Sequence, residues 1–135
     1  MDSAGLEILG WGECFELLAR VPIGRIVYTD QALPAIQPVN FVVDGQSVVI
    51  RTAAGGRLAF RATGTVVAFE VDDFADGHIR SGWSVVAVGR AVEVTDEQEL
   101  VAVRQLGPHL WVGGAKEYYL RVAIEIISGR RLVTS

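Results

Sequence analysis

The chain has 135 residues, half of them hydrophobic and 21% charged, with 12 Lys or Arg against 16 Asp or Glu for a formal charge of −4. That length suits one compact domain spanning residues 1–135, able to remove roughly 68–70% of its unfolded surface from water without disulfides or a structural metal. A single cysteine, Cys14, excludes an intramolecular disulfide and a paired-cysteine metal or redox site, and the acidic balance excludes the basic footprint of a nucleic-acid binder.

Met1 to Gly10 is acidic, without the basic start and apolar core of a targeting peptide, and reads as a flexible or loosely packed N-terminus. No segment reaches about 18 uncharged apolar residues, so a soluble, cytoplasmic protein with no membrane partner is expected. Trp11, Cys14, Phe15, Leu17 and Leu18 fall near helical spacing and predict a short amphipathic helix over 11–19, with Cys14 as a small buried residue. The period then changes to two. Gly24–Thr29, Ala35–Val43 and Ser47–Thr52 are β-rich runs of strand length, and Asp44-Gly45 between the last two marks a hairpin because glycine tolerates positive φ.

Leu58 and Phe60 among Arg57 and Arg61 predict a short helix over 53–62, entered through Gly55-Gly56. Thr65–Val71 is a fourth strand, followed by an acidic loop from Asp72 to Ser81. A long run from Trp83 to Thr95 carries Gly89, whose position inside a strand suggests a bend or bulge. Asp96, with Glu99 three residues on, has the spacing of a capping box opening a helix through Leu106. After a turn-rich stretch over 107–116, Glu117–Ile127 alternates cleanly, placing Tyr118, Leu120, Val122, Ile124 and Ile126 on one face, and a last short strand follows around Arg131–Val133. Few helices separate consecutive strands, which favours an antiparallel barrel with two or three short peripheral helices over a doubly wound parallel sheet.

Several chemistries are absent. His78 and His109 lie in different loops without metal-ligand spacing, no nucleophile elbow or Walker loop occurs, and Asp72, Asp73 and Asp76 read as a solvated loop. No residue is assigned as catalytic or as a metal ligand. What stands out is polar chemistry inside apolar strands. Pro38 removes a ladder donor, so the backbone beside Asn40, the only Asn in the chain, is open to a ligand. Arg51-Thr52 at a strand end, a glycine-rich turn and Arg57 at a helix start supply guanidiniums, a hydroxyl and amide donors suited to a phosphate. Trp83-Ser84 offers a stacking face and an adaptable hydrogen bond for a planar heterocycle.

Taken in order, Gly24-Arg25-Ile26, Pro38-Val39-Asn40-Phe41, Arg51-Thr52 with Gly56-Arg57-Leu58, Val67–Asp72 and Gly82-Trp83-Ser84-Val85 with Gly89 and Ala91 resemble the pyridoxamine 5′-phosphate oxidase-like family, the FMN-binding split barrels. The resemblance spans about Cys14 to Arg131 and is closest to the small branch that includes nitroimidazole-resistance-type proteins. It implies a mainly β fold, a six-stranded antiparallel split barrel, and a homodimer with FMN in the clefts between subunits. Val39 and Asn40 would then run beside the isoalloxazine ring, while Arg51, Thr52 and Arg57, with Leu58 next in the motif, would form the phosphate side. Trp83 and Ser84 would lie near the ring or the interface.

The implied activity is a flavin-dependent oxidoreductase passing hydride between a small donor such as NAD(P)H and an acceptor, with the chemistry supplied by the flavin. Related sequences commonly carry Lys where this chain has Arg57, and Ile126–Ser135 lacks the C-terminal Trp and Arg pattern of the true oxidases, so vitamin B6 oxidation is not expected. The alternatives are an F420-dependent reductase using the same cleft and a non-catalytic flavin-binding module.

Overall fold

The structure is a computed structural model that describes residues 6–53, 57–74, 82–106 and 117–132. Its elements in chain order are β1 (Glu7–Ile8), α1 (Trp11–Leu18), β2 (Ile23–Asp30), β3 (Leu33–Asp44), β4 (Ser47–Ala53), α2 (Arg57–Ala62), β5 (Val66–Asp73), β6 (Gly82–Glu93), α3 (Glu97–Arg104) and β7 (Glu117–Leu132). The strands run β7-β4-β3-β2-β5-β6, and β6 pairs back with β7, closing a six-stranded barrel to which β1 is added along the end of β7. All of these pairings are antiparallel. The expected split-barrel fold is therefore present, with three short helices around it.

The alternation of each strand sends one set of side chains inward. Ile26, Phe41, Ile50, Phe69, Val85, Leu120 and Val122 are buried in one core, where Phe41 and Phe69 meet edge to face at 4.7 Å and 71°. Gly24 passes directly over the Phe69 ring, and a Cβ there would overlap it. α1 adds Cys14, Leu17 and Leu18 to this core, and α2 adds Leu58 and Ala62. A second cluster lies outside the barrel wall, where Val49 and Tyr119 pack with Val94 and Val103 beneath α3.

β3 is the element that splits the barrel. Its residues Leu33 to Asn40 pair with β2, whereas its ladder with β4 runs only from Asp44 opposite Ser47 to Phe41 opposite Ile50. Both strands continue beyond that point, β3 back to Leu33 and β4 on to Ala53. Phe41 N donates to Pro22 O at 3.3 Å, and bonding alternates along an antiparallel strand, so even-numbered residues of β3 turn their backbone groups away from β2. Pro34 and Pro38 occupy that outward edge, where a missing N–H costs no ladder bond.

Several expectations are corrected. Glu117–Ile127 and Arg131–Val133 are one strand as far as Leu132 rather than two. Within it the register to β6 slips, with Val88 opposite Ile126 but Gly89 opposite Ile124, so Glu125 is an extra residue. Gly89 allows this because the backbone carbonyl of Ala123 occupies the space a Cβ would need. Beyond the bulge the inward set changes parity: Ile126, expected inside, is 63% exposed, while Ile127 packs on the core. The long run with Gly89 as a bulge site is as predicted.

Asp72 and Asp73, read as loop, belong to β5. In the stretch read as a loose N-terminus, β1 pairs with β7 and Leu9 is buried. Asp96 Oδ2 accepts from Glu99 N at 2.9 Å as the capping box requires, but the Glu99 carboxylate turns instead to Arg121. The turn at Gly55-Gly56, the loop carrying Asp76 and His78, and the stretch 107–116 with His109 lie outside the described residues.

Candidate functional site

The residues singled out on β3 and β4 come together at the split. Val39 and Asn40 form one lip and Arg51 and Thr52 the other, each placed just beyond the last paired residues, Phe41 and Ile50. Alternation divides them by face. Val39 is buried with the core, while Asn40 is half-buried opposite the exposed Ile23. On β4, Thr52 lies opposite Tyr118 on the core side, and Arg51 lies opposite Tyr119 on the side of the outer cluster. An open strand edge with a carboxamide thus faces a guanidinium and a hydroxyl, an arrangement able to accept a planar ring along the edge and an anion at its end.

The remaining candidates are dispersed. Leu58 on α2 is 1% exposed and fills the core, so its contribution is packing. Arg57 opens α2, a helix of six residues, and its side chain is outside the described set. Trp83 and Ser84 lie on β6, on the other side of the barrel from β3, opposite Arg131 and Arg130 of β7. Within one chain the split does not gather them. No group of three or more His, Cys, Asp or Glu able to hold a metal occurs among the described residues. Cys14 is fully buried, and burial pushes its thiol pKa up, the opposite of what a reactive cysteine needs.

One titratable cluster was not anticipated. Arg25 on β2 donates through Nη1 to Glu70 at 3.0 Å and to Asp72 at 3.2 Å, both on β5. Partial burial first, and then the hydrogen bond and charge of Asp72, raise Glu70 to about 7 against the pull of Arg25. The signal was in the sequence as the period-two pair Glu70 and Asp72 on the outward face of a strand, but the partner Arg25 is far away along the chain.

A second network centres on Arg121 of β7. Its Nε donates to Glu99 at 2.9 Å, and its Nη1 donates to Asp44 at 2.9 Å and to Ser47 Oγ at 2.7 Å, so one side chain ties α3 to the β3–β4 turn.

The outer face of five strands carries a different feature. The registers set Ile36 beside Val27, Val27 beside Ala68, Ala68 beside Val88 and Val88 beside Ile126, giving an apolar row across the sheet. Its two ends, Ile36 and Ile126, are each 63% exposed.

Comparison with known proteins agrees with this architecture. An uncharacterized protein of Mycobacterium tuberculosis is 43% identical over 126 residues, covering 90% of this chain and 82% of that one. The structure of the FAD binding protein from Mycobacterium smegmatis is 38% identical and superposes with a TM-score of 0.84, covering 96% of this chain and 100% of that one. A conserved protein of unknown function from Corynebacterium diphtheriae is 32% identical with a TM-score of 0.79, covering 95% and 98% of the two chains. The sequence pattern of the pyridoxamine 5′-phosphate oxidase family matches residues 10–131, nearly the whole barrel together with α1, and this chain belongs to that family.

Proposed function

We propose that this chain is a flavin-binding oxidoreductase whose cofactor lies in the split between β3 and β4. The observation that carries the reading is the ladder that stops at Phe41 and Ile50, leaving the Asn40 edge on one lip and Arg51 with Thr52 on the other. The residues fit the group: an extended edge suits a planar ring that needs hydrogen bonds along one side, and a guanidinium and hydroxyl at a strand end suit its phosphate. A flavin bound there supplies two-electron hydride chemistry between a small donor such as NAD(P)H and an acceptor. The protein's part is to hold and orient the ring and to neutralise the phosphate.

FMN and the FMN half of FAD present the same ring and proximal phosphate to this edge. The mycobacterial relative named for FAD makes both flavins worth testing beside F420. The cofactor is tested by the visible absorption of the freshly purified protein and by titration of the colourless form with FMN, FAD and F420. Saturable binding of a flavin that weakens about tenfold in Arg51→Ala supports the site. A protein that ignores both flavins overturns it, and binding of F420 alone would move the same cleft to a deazaflavin reductase. Flavin binding without turnover on any donor would leave a binding module.

The reading includes a homodimer. The apolar row from Ile36 to Ile126 supplies an uncovered surface of the kind a second copy would bury, and Ser84 lies on the same outer face of β6 as Val88 of that row.

A further inference from the structure

Away from the split, the opposite edge of β3 borders an open cleft of about 260 Å³ lined by Arg20, Val21, Pro22, Phe41 and Val43, with Ala19 at its rim. Three independent features make it more than a surface dent. Among the described residues none makes a hydrogen bond or ion pair with the Arg20 guanidinium, whereas Arg25, Arg61, Arg121 and Arg131 each reach a carboxylate. Asp44, next to Val43 in the chain, gives its carboxylate to Arg121. The backbone of Val43 is also turned into the cleft. Phe41 N bonds to Pro22 O, so odd-numbered residues of β3 present their amides toward the β2 side, but β2 begins at Ile23 opposite Asn40 and stops short of Val43. No backbone bond joins Val43 to the segment from Ala19 to Pro22 that passes there. Finally, the walls are apolar, with Phe41 as the buried floor and Val21 and Pro22 at the side.

We infer that this cleft binds a small monocarboxylate with an apolar ring or branched chain, its carboxylate held between the Arg20 guanidinium and the Val43 amide. A guanidinium fork matches a carboxylate in two parallel bonds, and a strand amide supplies a third donor. One cation and one amide suit a single negative charge, whereas a phosphate dianion would leave oxygens facing Val21, Pro22 and Phe41 without donors. The volume falls just below the usual range of ligand pockets, which suits a compact acid rather than a nucleotide. The site is separate from the proposed flavin edge, because it uses the β2 side of β3 and the split uses the β4 side.

The test is an amide NMR titration of the full chain with benzoate, isovalerate, benzamide and inorganic phosphate. Saturable shifts centred on Val43 and Phe41 are expected with benzoate or isovalerate and not with benzamide or phosphate. Arg20→Ala should weaken the carboxylate at least about tenfold with the remaining spectrum unchanged, since the Arg20 side chain is exposed and bonds to no other described residue. Ala19→Trp, filling the cleft from its exposed rim, should weaken it as well. The inference is overturned by the absence of saturable shifts, by shifts centred elsewhere, by an equal response to benzamide or phosphate, or by an Arg20→Ala variant that binds as the wild type does. None of these readings depends on whether a flavin binds.

Discussion

Gly24 shows how one missing methyl can decide the packing of an aromatic core. The Phe69 ring occupies the volume above its Cα, so Gly24→Ala forces the ring out of its edge-to-face contact with Phe41. Overpacking of this kind costs about 1–3 kcal/mol, and urea unfolding should register it as a lower midpoint with an unchanged slope. Glu70 is the residue where charge is decided by surroundings. Its pKa of about 7 lies above the ordinary 4.5, so the native state holds a proton that the unfolded chain has released between those values. Stability from this group is therefore full below about pH 4.5, falls as pH rises, and is flat above about 7. Because the side chain still meets solvent, the loss is on the order of 1 kcal/mol. Glu70→Gln should flatten the dependence of the urea midpoint on pH between 5 and 7 (approximate limits set by this linkage); an unchanged slope would assign it to other groups. Little of this was legible in advance. The glycine was visible in the motif, but the ring above it and the Arg25 partner both come from other strands.

At the scale of elements, local signals worked where the physics is local. The Asp44-Gly45 hairpin forms with Gly45 at φ +61°, and Asp96 caps α3, because both depend on a few adjacent residues. The β2–β3 turn was not predicted as a hairpin, since Gln31 and Ala32 take positive φ without a glycine, a conformation imposed by the long ladder on either side. Glu99 kept its backbone part in the cap but gave its carboxylate to Arg121, where a guanidinium outbids the backbone amide of the N-cap. That network predicts a measurable loss for Arg121→Ala. It removes bonds to Asp44, Ser47 and Glu99, and because both carboxylates still meet solvent the loss is about 1–2 kcal/mol in thermal or urea unfolding. Arg121→Lys should not restore it fully, since one ammonium does not span the three acceptors as the fork does.

For the whole molecule, the question is what covers the apolar row running from Ile36 to Ile126. A second copy is the proposed answer, and Ile126→Lys should then shift the protein to monomer in sedimentation velocity while leaving its far-UV circular dichroism and melting cooperativity intact. A wild-type protein that is monomeric at every concentration would remove the dimer and with it any contribution of a partner's Trp83 or Ser84 to the split.

The sequence by itself determined the class of fold, most of the strand runs, the bulge at Gly89 and the family, because alternation, turn residues and ordered motifs are short-range properties of the chain. It also singled out Val39, Asn40, Arg51 and Thr52, though it could not tell which face each would take. Only the tertiary structure decided that the β3–β4 ladder stops at Phe41 and Ile50, that one extra residue at Glu125 turns Ile126 outward, and that Arg25 meets Glu70 and Asp72. The reason is that register and closure are set by all six strands at once: a one-residue slip exchanges the buried and exposed faces, and nothing within a single strand records how its neighbours will slip.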